Sequence, residues 1–273
     1  MSLSGVRSNR GDGYQTLVAF DWALDVLTND KYAYLEIDST ALDASGVQIA
    51  VDDVVIGLAD GGKICCQSKK NQTHFESWSV TDLKDELNKS ARLMSGDPKS
   101  RVCFYTRGNF GAIAKLQEHS ATQPNPLAYE KSLTKEHRKT NADLAANIAT
   151  GCGLSTYEFL QRTSFESTRE LDRMQDLINE RLVRLVSNAE GAFDALWTRL
   201  DKLGSRIGDG TSTNVVDSHR LTKSDLTEIV NRAGQRSFHR DHTKSWRVLL
   251  QARRQLDAVG VATLLESAFP SFR

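Results

Sequence analysis

Residues 51–70 read VDDVVIGLADGGKICCQSKK, and the fold turns on how this stretch is understood. Two short runs, VVIGL (54–58) and KICCQSK (63–69), flank the turn ADGG (59–62). Apolar, β-branched runs of that length favour strands, and a short glycine-bearing link favours an antiparallel hairpin. The polar chemistry sits at the hairpin's open end. Asp52 and Asp53 precede the first run, and Gln67, Lys69 and Lys70 close the second. Alternate side chains of a strand share a face. Gln67 and Lys69 therefore point the same way with Cys65 behind them, while Cys66 and Ser68 point the other way. Pairing of the two strands would bring the acidic pair to Gln67 and Lys69. A slip of one residue would put Asp52 on that face in place of Asp53.

Upstream, YAYLEI (32–37) reads as a strand ending near Glu36, and YQTLVAFDWALDVLT (14–28) as a buried helix. Gly11 and Gly13 lie before that helix, with Asp12 placed to cap it. Downstream, the capping box SVTD (79–82) predicts a helix to about Met94, and RVCFYT (101–106) a further strand after the turn SGDP. The order is helix, three strands, helix, strand, an α/β unit that ends near residue 125 at the break TQPNP. Everything after it reads as helical. Ser155–Glu158 and Thr222–Asp225 are capping boxes, and Leu171, Met174, Ile178, Leu182 and Leu185 form one i, i+3/i+4 stripe. AFDALWTRLDKL (192–203) is amphipathic, and SWRVLLQARRQLDAV (245–259) gives a last helix. The expected fold class is α/β (α+β), a mixed sheet flanked by helices and followed by an α-helical C-terminal region. Its expected division is 1–125 for the α/β core, 126–235 for a helical region that packs on it or drives oligomerisation, and 236–273 for a basic helical tail.

Of the 273 residues, 39% are hydrophobic and 26% charged, and the formal net charge is +0. That balance excludes gripping a polyanion by bulk charge. It is uneven along the chain, since residues 219–254 hold nine Lys or Arg against three acids. Such a segment suits a nucleic acid, an acidic partner or a solvated helix face. No apolar run approaches the ~18 residues of a membrane span, and the N-terminus MSLSGVRSNRGDG lacks the apolar centre of a secretory signal. Four cysteines, two of them the neighbours Cys65 and Cys66, make no disulfide framework. These features predict a cytoplasmic protein with its cysteines in the core. No G-x-x-x-x-G-K-[ST] occurs, so no P-loop is encoded.

One edge of the expected sheet thus gathers Asp53 (or Asp52), Gln67, Lys69 and, from the preceding strand, Glu36. Mg²⁺ or Mn²⁺ suits one or two carboxylates with an amide oxygen, water and a substrate phosphate. A lysine there can orient or deprotonate an attacking water, or neutralise a phosphate that gains charge. A polar strand end whose Asp and Lys form exposed ion pairs, worth ~0–1 kcal/mol each, would carry the same letters.

The pattern resembles the PD-(D/E)XK superfamily of nucleases in the variant D…Q-x-K. RGDGYQTLVAF (10–20), LEI (35–37), DDVVI (52–56), CQSKK (66–70), SVTDLKDEL (79–87) and RVCFYTRGNF (101–110) fit in order and spacing. On those residues the chain is similar to the double-stranded-DNA nuclease domain of bacterial CBASS effectors, found also in AVAST (STAND-type) and Lamassu antiphage proteins. The resemblance implies a restriction-endonuclease-like core that cuts double-stranded DNA with Mg²⁺. Asp53 and Gln67 would hold the metal, with Asp52 as fallback, Lys69 would assist the water, and Glu36 would support the metal or its neighbours. It further implies a homo-oligomer, or docking to a sensor or ATPase subunit of a defence complex. Two other functions stay open: a catalytically silent module for DNA binding or assembly, and a phosphodiesterase acting on RNA or a nucleotide.

Other residues bear on the same question. Arg10, Tyr14 and Gln15, at the entry of the first helix, could meet a DNA phosphate, and so could Lys70 and Asn71 past the strand. His74 is a lone histidine in a polar loop. His239 and His242 lack the further ligands that zinc needs. Trp22 and Trp197 read as core, and Trp246, between Lys244 and Arg247, as a possible partner anchor.

Overall fold

The computed structural model describes residues 3–37, 53–69, 77–148, 153–168, 171–204 and 220–233, with side chains from residue 13 onward. Asp52, Lys70, Asn71, His74, His239, His242 and Trp246, the side chain of Arg10 and the tail 236–273 lie outside the described residues.

The hairpin forms as the sequence predicts. β2 (Val54–Leu58) and β3 (Lys63–Lys69) pair antiparallel, with Val54 opposite Cys66 and Val55 opposite Cys65. Gly61, with φ 86°, supplies the left-handed residue of the turn. β1 (Tyr32–Ile37) pairs antiparallel with β2, which sets Glu36 opposite Val55. α2 (Lys84–Gly96) then leads to β4 (Arg101–Thr106), which lies parallel to β3 with Thr106 opposite Lys69. Its capping box is made, Ser79 and Asp82 exchanging hydrogen bonds, but it closes a turn, and the α-helix proper begins at Lys84.

Two expectations fail. The first helix, α1 (Leu3–Thr28), is 26 residues long and runs through Gly11 and Gly13. A helical glycine costs about 1 kcal/mol against alanine, which weakens a helix without ending it, so Tyr14 and Gln15 lie inside α1 and not at its start. The region after residue 125 is also not wholly helical. β5 (Thr163–Ser167) pairs parallel to β4, and β6 (Arg220–Thr222) pairs antiparallel to β1. The mixed sheet therefore has six strands in the order β5-β4-β3-β2-β1-β6, and both of its edges come from the C-terminal half.

Helices cover both faces of the sheet. On one, α1 packs with α7 (Leu171–Leu185) and α8 (Ala189–Gly204) against Leu35, Ile37, Val54, Ile56 and Cys66. On the other, α2, α3 (Gly111–Ala121), α5 (Lys135–Ile148) and α6 (Thr156–Gln161) enclose Val55, Cys65, Val102 and Phe104. α4 (Pro126–Ser132) is capped by the Asn125 side chain on Ala128 N–H and contributes Tyr129 to that second core. The alternation along β2, Val54 and Ile56 into one core and Val55 into the other, is why the hairpin reads as a continuous apolar run. Trp22 and Trp197 pack against the α1-side core, as expected. Among the described residues no helix is long and apolar enough to cross a membrane.

Gly57 is required by its neighbour. The Tyr34 ring lies over it so closely that a Cβ would sit 2.1 Å from Tyr34 Cε1, and Arg220 stacks on that ring at 4.1 Å. Gly57→Ala is expected to cost about 2 kcal/mol in urea unfolding, through displacement of Tyr34.

Candidate functional site

Alternation along β2 and β3 carries Asp53, Gln67 and Lys69 to the face that α2 covers. Asp53 immediately precedes β2, and two donors fix its carboxylate. Ser68 N–H donates to Oδ2 at 2.5 Å, and Gln67 Nε2 donates to the same oxygen at 3.2 Å. From the other side of the sheet, Gln15 of α1 donates to the Asp53 backbone carbonyl at 3.1 Å. The acid is thus held by its own hairpin and by the helix beneath it.

Lys69, two residues past Gln67, turns to α2 and forms an ion pair with Glu86. Its ammonium also lies 5.9 Å from the centre of the Trp78 ring. Trp78 is itself tied to the sheet by its indole N–H on Thr106 Oγ1 at 3.0 Å, and Thr106 stands opposite Lys69. Lys69 is therefore boxed between a carboxylate and an aromatic ring, its side chain 13% exposed. Neither Glu86 nor Trp78 is legible as a partner of Lys69 in the sequence.

Glu36 shares the face but has another engagement. It is 5% exposed, and Arg220 of β6 binds its Oε1 through Nε at 2.8 Å and a terminal nitrogen at 2.6 Å. Register places Glu36 opposite Val55, two positions along from Asp53. Tyr14 does not reach the surface as a phosphate contact should. It is 2% exposed, and its hydroxyl is 2.6 Å from Thr168 Oγ1. Burial pushes its phenol up to about 12, against smaller opposing pulls from the Thr168 hydrogen bond and the nearby Arg107. Gln15 is a brace for Asp53 in this arrangement.

The described thiols belong to the core, as the sequence predicts. Cys65, Cys66 and Cys103 are buried and unoxidised. Burial, then the hydrogen bond to Cys103, pushes the Cys66 thiol well above its ordinary range, which removes it as a nucleophile.

Among the described residues no group of three or more His, Cys, Asp and Glu is placed to hold a metal ion. That excludes a preformed zinc cage or calcium loop from them. Mg²⁺ asks for less, one or two carboxylates with the rest water and substrate phosphate. The Asp53 carboxylate beside the Gln67 amide fits that demand. Half a turn of the Gln67 amide would present its oxygen where its nitrogen now faces Asp53.

No family model matches the chain, and no curated protein does. Among solved structures, it is similar to the Cap4 SAVED/CARF-domain containing receptor of Acinetobacter baumannii. Against that receptor with the cyclic trinucleotide 2′3′3′-cAAA the TM-score is 0.52 at 14% identity, over 82% of this chain and 44% of the receptor. Against the same receptor without a named ligand the TM-score is 0.50 at 15% identity, over 82% and 46%. The likeness is one of fold, and this chain spans less than half the length of those receptors.

Proposed function

We propose that this chain is a metal-dependent endonuclease that hydrolyses phosphodiester bonds of double-stranded DNA as the effector part of a bacterial antiphage defence system. The observation that carries the reading is Asp53 hydrogen-bonded to Gln67, with Lys69 two residues further on the same face. Its support is the resemblance of the D…Q-x-K set and its flanking motifs to the nuclease domain of CBASS effectors. The fold likeness to the Cap4 receptors supports the antiphage part of this reading.

Asp53 and Gln67 are the residues that would hold Mg²⁺ or Mn²⁺, while Glu36 on the next strand is engaged by Arg220. The ion supplies a more acidic bound water and a clamp on the phosphate as that group gains charge. The chain's own part is positional and electrostatic. Ser68 N–H and Gln15 fix Asp53 before substrate arrives, so little reorganisation is left for the reaction. Lys69, which Glu86 and Trp78 hold at the end of β3, would exchange that ion pair for the phosphate oxygens or the attacking water when substrate binds. DNA would lie along the edge where β2 starts and β3 and β4 end. Residues 126–235 and 236–273 would supply oligomer or partner contacts, in addition to the two edge strands β5 and β6.

The test is cleavage by the purified chain of linear duplex, single-stranded DNA and RNA, with Mg²⁺ or with EDTA. We expect duplex cutting that needs Mg²⁺ and is lost in EDTA. Cutting of RNA alone would favour the RNA phosphodiesterase. Duplex binding with no cutting at any Mg²⁺ or Mn²⁺ concentration would favour the silent module.

A further inference from the structure

Four buried side-chain polar atoms lack a hydrogen-bond partner among the described residues, namely Ser68 Oγ, Asn88 Oδ1, Arg107 Nε and His137 Nδ1. Two of the four lie at one end of the sheet. Lys69 stands opposite Thr106 and Ser68 opposite Tyr105, so Ser68 and Arg107 follow one another at the carboxyl ends of neighbouring parallel strands. Tyr105 packs into the α1-side core and takes the Trp22 indole N–H on its hydroxyl at 3.1 Å. Ser68 and Arg107, in step with it, fall on that same side of the sheet edge, with the Tyr14–Thr168 hydroxyl pair beside them. Just past Thr106, Gly108 N–H donates to Thr106 Oγ1 at 3.2 Å, a bend that ends the strand.

A guanidinium is always charged and carries five donors in a planar fork. Leaving one of its nitrogens buried and unpaired costs more than an ordinary exposed arginine would. An unpaired donor at the carboxyl end of parallel strands, where open α/β sheets bind their ligands, points to something that arrives. No described carboxylate takes it, Asp53 and Glu86 included. A ligand at this point would meet a fixed positive charge and the Ser68 hydroxyl, which is what a phosphate oxygen accepts from.

We propose that Arg107, with Ser68, is a phosphate-binding site, and that it takes a DNA backbone phosphate next to the one held at Asp53 and Lys69. The assignment rests on the nuclease reading for its ligand and on the unpaired donors for its location. Arg107 leaves the same sheet edge as Lys69, one strand over (~4.8 Å) and one residue beyond, but on the α1 side, so a duplex strand crossing that edge would meet both. Arg107 would fix the register of the duplex on the sheet edge, a positioning role without base contact.

The test is binding of a labelled 20-base-pair duplex to the full chain in EDTA across a salt series, for wild type, Arg107→Ala and Arg107→Lys. Arg107→Ala is expected to bind about tenfold more weakly and to reduce the salt slope by about 1, while Arg107→Lys keeps the slope and recovers part of the affinity. Its thermal midpoint should be unchanged or raised, because an unsatisfied buried donor is removed. An unchanged slope overturns the assignment, and so does a lowered midpoint with unchanged binding, which would make Arg107 structural. A third arm uses inorganic phosphate. If it raises the wild-type midpoint and leaves that of Arg107→Ala alone while duplex binding is the same in both, the site serves a free phosphate and the backbone assignment is overturned. Mg²⁺-dependent cutting by wild type, scored separately, shows whether the nuclease reading stands when this one fails. Failure of wild type to bind or cut duplex overturns both.

Discussion

Asp53→Asn and Lys69→Ala are each expected to reduce Mg²⁺-dependent duplex cleavage by roughly 10²–10⁴-fold, with both proteins folded. The two substitutions act on different parts of the site. Asp53 Oδ2 accepts from Ser68 N–H and Gln67, so alanine would strand two donors and confound stability with chemistry. Asparagine keeps an oxygen at that place and removes the charge that a hard cation requires. A lost charge with retained packing should raise the Mg²⁺ concentration needed as well as lower the rate. Lys69→Ala should lower the rate with little change in Mg²⁺ requirement, because its ammonium faces Glu86 and Trp78 and not the acid. Far-UV circular dichroism and urea unfolding guard against trivial loss, since Lys69→Ala leaves Glu86 without its ion-pair partner. Full cleavage by folded Asp53→Asn would return the opening hairpin to the status of an ordinary polar strand end.

The difference between what the sequence discloses and what it conceals here is one of range. The hairpin was legible because both strands, their turn and their two faces lie within twenty residues, and alternation assigns each side chain. The capping boxes at Ser155 and Thr222 were legible for the same reason, and both are made, Ser155 with Glu158 and Thr222 with Asp225. The edge strands were not. TSFES and RLT are short and largely polar, and β-propensity means little at an edge where half the backbone pairs with nothing. Identifying them required knowing which distant strand they join. The partners of the site residues were hidden likewise. Glu86 is reached only once α2 is laid across the sheet, and Arg220 stands 184 residues from Glu36. The start of α1 was misplaced by the opposite error, a local signal trusted too far. Two glycines weaken a helix by amounts that packing elsewhere along it outweighs.

Arg220→Ala is expected to destabilise the protein by about 2–3 kcal/mol while leaving its Mg²⁺ requirement unchanged. Removing one member of a buried ion pair costs about 3–5 kcal/mol because the other charge stays behind in a poor solvent. A smaller loss applies here because Glu36 is nearly enclosed but the Arg220 side chain is 33% exposed, so water already shares the pair. Two further losses accompany the charge. Arg220 lies 4.1 Å over the Tyr34 ring, and it belongs to the three-residue edge strand β6, paired to β1. Glu36→Gln in the Arg220→Ala background should recover part of the loss, since a neutral amide in that position needs no counterion, and urea unfolding of the four proteins of the cycle would isolate the pair. The same variants decide what Glu36 does. Freed of its guanidinium, a carboxylate two positions from Asp53 would raise affinity for a cation if its function were to hold one. A Mg²⁺ requirement that falls in Arg220→Ala and rises again with Glu36→Gln would make Glu36 a metal ligand that Arg220 restrains. A requirement that stays fixed across the cycle, as we expect, would leave Glu36 to fasten the edge strand that supports the site, and leave the cation to Asp53 and Gln67.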